Sequence, residues 1–306
     1  MKLEAEEMVR ALGTLFAALA GLAVGSFLNV CLSRWPEGES VVKPRSHCRS
    51  CARTLAWWEN VPLVSWIALR GRCRTCGSWI GWRYPIVELA VGALWAIVAC
   101  RFLSTATNPN ISALSAYILL VNAAGKAILC WLLVALAVLD AENLWLPDWL
   151  TLPGIALGFI CTVLRERLSY ELRTDSSLKP PLLSDALGFV LGILAAAALI
   201  LVIRWLYWLF RRREGIGLGD AKLMAMLAAC LGLPGALLSF GLGVTLGALV
   251  ALILLVIPSK GNQSADNPET WALTKLPLGT FLSVGGIISS LSGQRIIDAY
   301  LRWAGF

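Results

Sequence analysis

A single histidine, His47, is all the imidazole this chain of 306 residues possesses. That scarcity argues against a His-based triad and against a His-rich metalloprotease site. Charge is scarce as well: 15% of the residues are Asp, Glu, Lys or Arg, against 58% hydrophobic ones, with a mean hydropathy of +0.73. An ordinary soluble domain is thereby excluded, and a polytopic membrane protein is implied. There is no repeat of fixed period and no low-complexity tract. The opening Met1-Lys2-Leu3-Glu4-Ala5-Glu6-Glu7 lacks the basic n-region of a cleavable signal, so the first apolar segment is expected to stay as an anchor. Chemistry is left to carboxylates, cysteines or serines.

Apolar runs of the length a bilayer requires predict an all-α polytopic membrane protein with about eight spans, at 11–33, 86–104, 115–139, 149–164, 185–210, 220–232, 236–257 and 276–292. The net charge of +7 sits in segment 34–85 and in Arg204 with Arg211-Arg212-Arg213. Those clusters set topology, with both regions cytoplasmic, and no nucleic-acid partner is expected. The chain then divides into an anchor (1–33), a cytoplasmic tetracysteine domain (34–85) and a multi-span core (86–306). The polar stretch 259–268 reads as a flexible loop, and 294–306 as a short interfacial helix.

Within that apolar background two acids stand out. Asp140 continues an apolar helix directly, and Asp220 closes the stretch Gly217-Leu218-Gly219-Asp220. Buried carboxylates are expensive in a membrane and are functional candidates by default. With eight spans both fall on the cytoplasmic face, where they form a pair able to share a proton and activate water. Gly217 and Gly219 would let a substrate backbone approach closely. Asp148, after Pro147, reads as a helix-capping acid. Asn29 near the inner end of the first span and Glu88 at the start of the second are further polar intrusions at similar depth.

The nine cysteines are distributed unevenly. Five lie in apolar segments and behave as small hydrophobes. The other four, Cys48, Cys51, Cys73 and Cys76, form C-x2-C-x21-C-x2-C in one polar loop. This spacing suits a closed, structural Zn²⁺ in a zinc-ribbon-like domain; paired disulfides and spare thiols are the alternatives, and a reducing cytoplasm disfavours disulfides. His47 beside Cys48 is expected to stay out of the shell.

Further motifs run through the chain in order. They are Gly25-Ser26-Phe27-Leu28-Asn29-Val30 with Arg34 and Pro36, the two CxxC pairs, Trp58-Glu59-Asn60-Val61-Pro62, Arg70-Gly71-Arg72-Cys73, and Arg83-Tyr84-Pro85 with Glu88. After them come Asp140 with Leu146-Pro147-Asp148, Gly217-Leu218-Gly219-Asp220-Ala221-Lys222, and Leu276-Pro277-Leu278-Gly279-Thr280-Phe281-Leu282. Together they resemble the prepilin leader peptidases, GxGD-type membrane aspartic proteases of type IV pilus and type II secretion systems. Leu278 and Ala221 depart from the residues expected there (Phe and Val), without touching either acid.

The resemblance implies that Asp140 and Asp220 are the catalytic pair. It implies prepilin or pseudopilin substrates, cut after the glycine ending a basic leader, at a bacterial inner membrane. It also implies methylation of the new N-terminal amine with S-adenosylmethionine, for which Glu59 and Glu88 are candidate substrate-binding carboxylates. A basic leader would meet a basic loop, so either the acids Glu37, Glu39 and Glu59 receive it or anionic lipid concentrates it. A peptidase using the zinc loop only as scaffold, a proton-relay transporter and a docking protein remain as alternatives.

Overall fold

The computed structural model describes residues 2–108, 110–171, 183–212, 217–256 and 276–305. Stretch 259–268, residues 172–182 of the loop after the fourth expected span, and Arg213 lie outside them. The described chain is almost entirely helical: α1 (Lys2–Arg34), α2 (Val64–Ala68), α3 (Arg83–Ala106), α4 (Ala113–Asn143), α5 (Asp148–Glu171), α6 (Leu183–Arg211), α7 (Leu218–Val256) and α8 (Leu278–Ala304). Pairing of β type is confined, among the described residues, to two isolated bridges, His47–Thr54 and Arg72–Trp79.

Six of these helices, α1 and α3 to α7, are long and apolar enough to cross a membrane, so the protein is a multi-pass membrane protein. That is fewer than the eight spans expected, for two reasons. Expected spans 220–232 and 236–257 are the two legs of α7, which breaks at Gly232 (φ 75°, ψ 168°) ahead of Pro234. The region expected at 276–292 belongs to α8, whose apolar side chains are diluted by glycines and serines turned inward, among them Gly279, Ser283, Gly285, Gly286 and Ser289. The interfacial helix expected at 294–306 is simply the end of α8, carried on by Gln294 donating to Asp298 at 2.9 Å.

The chain forms two compact units. The first comprises 1–135 with 163–181, the second 136–162 with 182–306. In the first, α1 and α3 run antiparallel at very short range. A Cβ on Gly21 would lie 2.9 Å from the Cα of Gly92, and one on Gly25 would lie 2.9 Å from the Cα of Glu88. Small residues at such a crossing let two backbones approach and gain dispersion contact, which lipid cannot supply.

In the second unit α7 folds back on itself. Gly243 and Gly247 pack on Leu282 and Phe281 in the first turns of α8, whereas Gly219, at the other end of α7, meets Leu146, which also meets Gly279 of α8. A straight helix would hold residues 219 and 247 about 42 Å apart, at 1.5 Å per residue. Both ends reach the start of α8, so the chain reverses at Gly232. The first leg is too short to span a bilayer alone. It is enclosed by protein instead: from Asp220 to Ala229 every residue except Lys222 is buried.

Candidate active site

The turn from α4 to α5 and the starts of α7 and α8 meet around one side chain, Leu146. A Cβ on Gly219 would stand 2.8 Å from Leu146 Cβ, and one on Gly279 would stand 2.9 Å from Leu146 Cδ1 and 2.9 Å from Asp140 Oδ2. Only glycine leaves room at either place. Asp140 and Asp220 are therefore brought to the same end of this unit, buried (6% and 7% exposed), and they interact electrostatically.

Each acid is held by backbone. Asp140 Oδ2 accepts the Thr280 N–H at 2.7 Å, with Thr280 Oγ1 3.2 Å away and also 2.9 Å from the Ala137 carbonyl. Asp220 Oδ2 accepts the Gly217 N–H at 3.1 Å. The room left by Gly219 is taken by the protein's own Leu146, so packing alone already requires that glycine. Thr280, Gly279 and Leu146 carried no role in the sequence reading. The signal for Gly279 and Thr280 was the run Leu276 to Leu282, and that for Leu146 was Leu146-Pro147-Asp148; their purpose becomes visible only once α8 lies against α4.

Asp148 does not cap α5. The helix begins at Asp148 itself, and its carboxylate pairs with Lys222 Nζ at 2.5 Å. Lys222 thus has a protein partner two residues after Asp220, on the opposite face from the buried pair.

In the first unit the four cysteine sulphurs all lie within 4.8 Å of one another, and Cys48 and Cys76 are 3.8 Å apart. Two thiolates bound tetrahedrally at ~2.3 Å from a zinc ion stand about 3.8 Å apart, so the cluster fits that ion. The fold produces this with two equivalent turns. Cys48 N–H donates to the Arg53 carbonyl and Cys73 N–H to the Ser78 carbonyl, each at 2.9 Å. The residue after each second cysteine is left-handed, Ala52 at φ 56° and Gly77 at φ 68°. The Cys51 N–H donated toward Cys48 helps draw that thiol down to about 6, whereas the neighbouring cysteines push Cys51 up to about 11. His47 stays outside the cluster, its Nδ1 3.1 Å from the Arg45 carbonyl.

Glu59 and Glu88 are both buried but differently engaged. Glu59 is fully committed: Oε1 pairs with Arg53 at 2.6 Å and Oε2 accepts the Ala56 N–H at 2.7 Å. Arg53 beside it holds the Glu59 carboxyl below the usual range. Glu37 is likewise paired, with Arg49 at 3.3 Å. Two of the three acids expected to greet a basic leader are thus already neutralised. Glu88 Oε2 accepts the Leu63 N–H at 2.8 Å. Both Glu59 and Glu88 line a cavity of about 590 Å³ between the cysteine turns, the last turns of α1 and the first turns of α3.

Residues 19–102 match the family described as Bacterial Peptidase A24 N-terminal domain, and residues 127–252 match the Type IV leader peptidase family. The chain is similar to proteins named prepilin leader peptidase/N-methyltransferase. That of Stutzerimonas stutzeri is 33% identical over 95% of this chain and 94% of its own. That of Pseudomonas aeruginosa is 34% identical over 94% and 93%. That of Myxococcus xanthus is 36% identical over 84% and 68%. No solved structure matches the chain.

Proposed function

This chain belongs to the type IV leader peptidase family, and from that premise we propose that it is a membrane aspartic endopeptidase that removes the basic leader of prepilins or pseudopilins after a glycine and N-methylates the residue so exposed. Asp140 and Asp220 are the catalytic pair. One, ionised, takes a proton from water; the other, protonated, donates to the scissile carbonyl, and the two titrate as a unit. The observation that carries this is the convergence on Leu146 of Gly219, next to Asp220, and of Gly279, which abuts Asp140, with each acid steadied by a backbone N–H. Thr280 orients Asp140 so that no search of rotamers precedes reaction, the kind of placement that lowers a barrier entropically. Gly217 flanks the substrate path, whereas Gly219 makes room for Leu146.

The four cysteines hold a structural Zn²⁺ with no open position, which supplies fold rather than chemistry. S-adenosylmethionine supplies the methyl group. Methylation belongs to the first unit, where Glu88 serves the substrate side and Glu59 braces the cysteine turn through Arg53. The protein lies in the bacterial inner membrane with its acids toward the cytoplasm, as the basic segments 34–85 and 204–213 support.

The test is incubation of the purified full-length protein with a prepilin and S-adenosylmethionine, followed by product masses. Leader loss together with one methyl increment on the mature chain is expected. An intact prepilin would overturn the peptidase reading. A trimmed but unmethylated product would leave a peptidase whose zinc loop is scaffold.

A further inference from the structure

Between Thr14 and Arg34 the polar side chains of helix α1 form one stripe at i, i+3 and i+7: Ser26, Asn29 and Ser33, all lining the 590 Å³ cavity. Asn29 is 2% exposed. Its Nδ2 donates to the Tyr84 carbonyl at 2.9 Å, and because a carbonyl requires a donor, this fixes which way the amide faces. Oδ1 is left buried, with no hydrogen-bond partner among the described residues. Such an orphan acceptor costs the free energy of its lost hydration and invites a donor from a ligand.

A second acceptor stands with it. Glu88, 7% exposed, has no ion-pair partner among the described residues; it receives the single Leu63 N–H, with the Ser26 hydroxyl against it. The cations lining the same cavity are otherwise engaged. Arg34 donates to the Ser40 and Pro44 carbonyls, Arg49 pairs with Glu37, and Arg74 lies over the Trp58 ring. No cation is paired with Glu88 among the described residues, and the cavity is of the size that small ligands occupy.

We propose that Asn29 Oδ1 and the Glu88 carboxylate form a receptor for an α-ammonium group. The inference rests on the methyl-transfer half of the reading above and names the group that this cavity binds. An α-ammonium carries one positive charge and three N–H donors, which matches a carboxylate and an unpaired amide oxygen. Two molecules in the reaction possess one: the amino-acid end of the methyl donor and the new N-terminus of the trimmed substrate.

Calorimetric titration of the full-length protein in detergent distinguishes them. The probes are S-adenosylhomocysteine with its deaminated analogue, and a trimmed pilin peptide with its N-acetylated form. In one of the two pairs, removing the ammonium is expected to weaken binding at least about tenfold. For that probe, Asn29→Leu and Glu88→Gln should impose a similar loss, while Asn29→Asp, which keeps an acceptor, retains affinity within about threefold. The affected pair identifies the source. If neither pair discriminates in the wild-type protein, or the protein binds none of the probes, the receptor is disproved. Methyl transfer persisting beside undiscriminating binding would sink this inference and leave the proposed function standing. Absence of methyl transfer would sink that reading itself.

Discussion

At the residue scale, the candidate site depends on atoms that are missing as much as on those present. Gly279→Ala would place a Cβ within 2.9 Å of both Asp140 Oδ2 and Leu146 Cδ1. A displacement of about an ångström can lower a rate ~100-fold, so leader removal should fall by roughly that factor while the protein still accumulates in the membrane. Asp140→Asn and Asp220→Asn should each abolish removal, because water activation needs one acid and one base. Normal cleavage by either variant at matched abundance would refute the pair. Asp148→Asn should leave cleavage measurable, since that carboxylate is exposed and turned to Lys222. The two cysteine turns offer a cleaner comparison. Ala52 and Gly77 occupy equivalent left-handed positions, and nothing lies within 4 Å of a Cβ built on Gly77. Only backbone strain separates the residue types there, so Gly77→Ala should destabilise the turn by about 1 kcal/mol and Ala52→Gly should stabilise its partner by a similar amount. Thermal melts of the metal-loaded protein would show opposite shifts. Glu59 adds a pH signature. Its folded carboxyl is depressed by Arg53, so its stabilisation is complete above the unfolded carboxyl pKa of ~4.3 and is lost as pH falls through the lower folded value. Tryptophan emission from the Trp57–Asn60 turn should hold from pH 7 to about 5 and change only in more acid buffer. Glu59→Gln should loosen the turn at pH 7 and remove the acid step.

At the scale of elements, α7 decides the architecture. Its first leg carries Asp220 and is buried nearly all round, an arrangement a membrane tolerates only inside protein. Reversal at Gly232 brings the second leg back along α8. There Gly285 is so close to the second leg that its Cβ would overlap the Ser239 carbonyl oxygen. Gly285→Ala must therefore push α8 away from α7, and Thr280, five residues earlier on α8, should lose its hold on Asp140. Reduced activity with a lowered melting point is expected, and unchanged values for both would contradict this packing. The reversal has its own test. Single cysteines introduced at Leu218 and at Val256, in a background lacking the native ones, should both label from one side of the membrane. Labelling from opposite sides would mean that α7 crosses straight through.

At the scale of the whole molecule, the two proposed chemistries reside in different compact units. The cysteine cluster and the cavity belong wholly to the first, both acids wholly to the second. Asp140→Asn should therefore still methylate a substrate supplied already trimmed. Conversely, stripping the metal with a chelator, or Cys76→Ser, should reduce methyl transfer more than leader removal, because the loop's fold is coupled to its ion. Product masses for each reaction at matched protein amounts would check both. Loss of methylation in Asp140→Asn would show that the two activities are not separable in this way.

Composition and motif order were enough to reveal a helical membrane protein, the two acids, the four cysteines and the family, because these rest on residue type and local spacing. Hydropathy responds to apolar length along the chain, which is why 220–232 registered as a separate segment from 236–257. Hydropathy does not register that a segment is enclosed by protein, nor that the glycines and serines of α8 turn inward and serve contact rather than lipid. The Asp148–Lys222 pair spans 74 residues of sequence, and Thr280 meets Asp140 across 140. Capping signals at Asp148 pointed elsewhere, since a local rule sees only neighbours in the chain. The same holds for Asn29, whose unsatisfied oxygen becomes meaningful only when α3 brings Tyr84 to one side of its amide and a cavity opens beneath the cysteine turns. Residue type can nominate an acid or a thiol, but what each one touches depends on which helices are near enough to exclude water from it. That proximity is settled by close packing at glycines far apart in the chain.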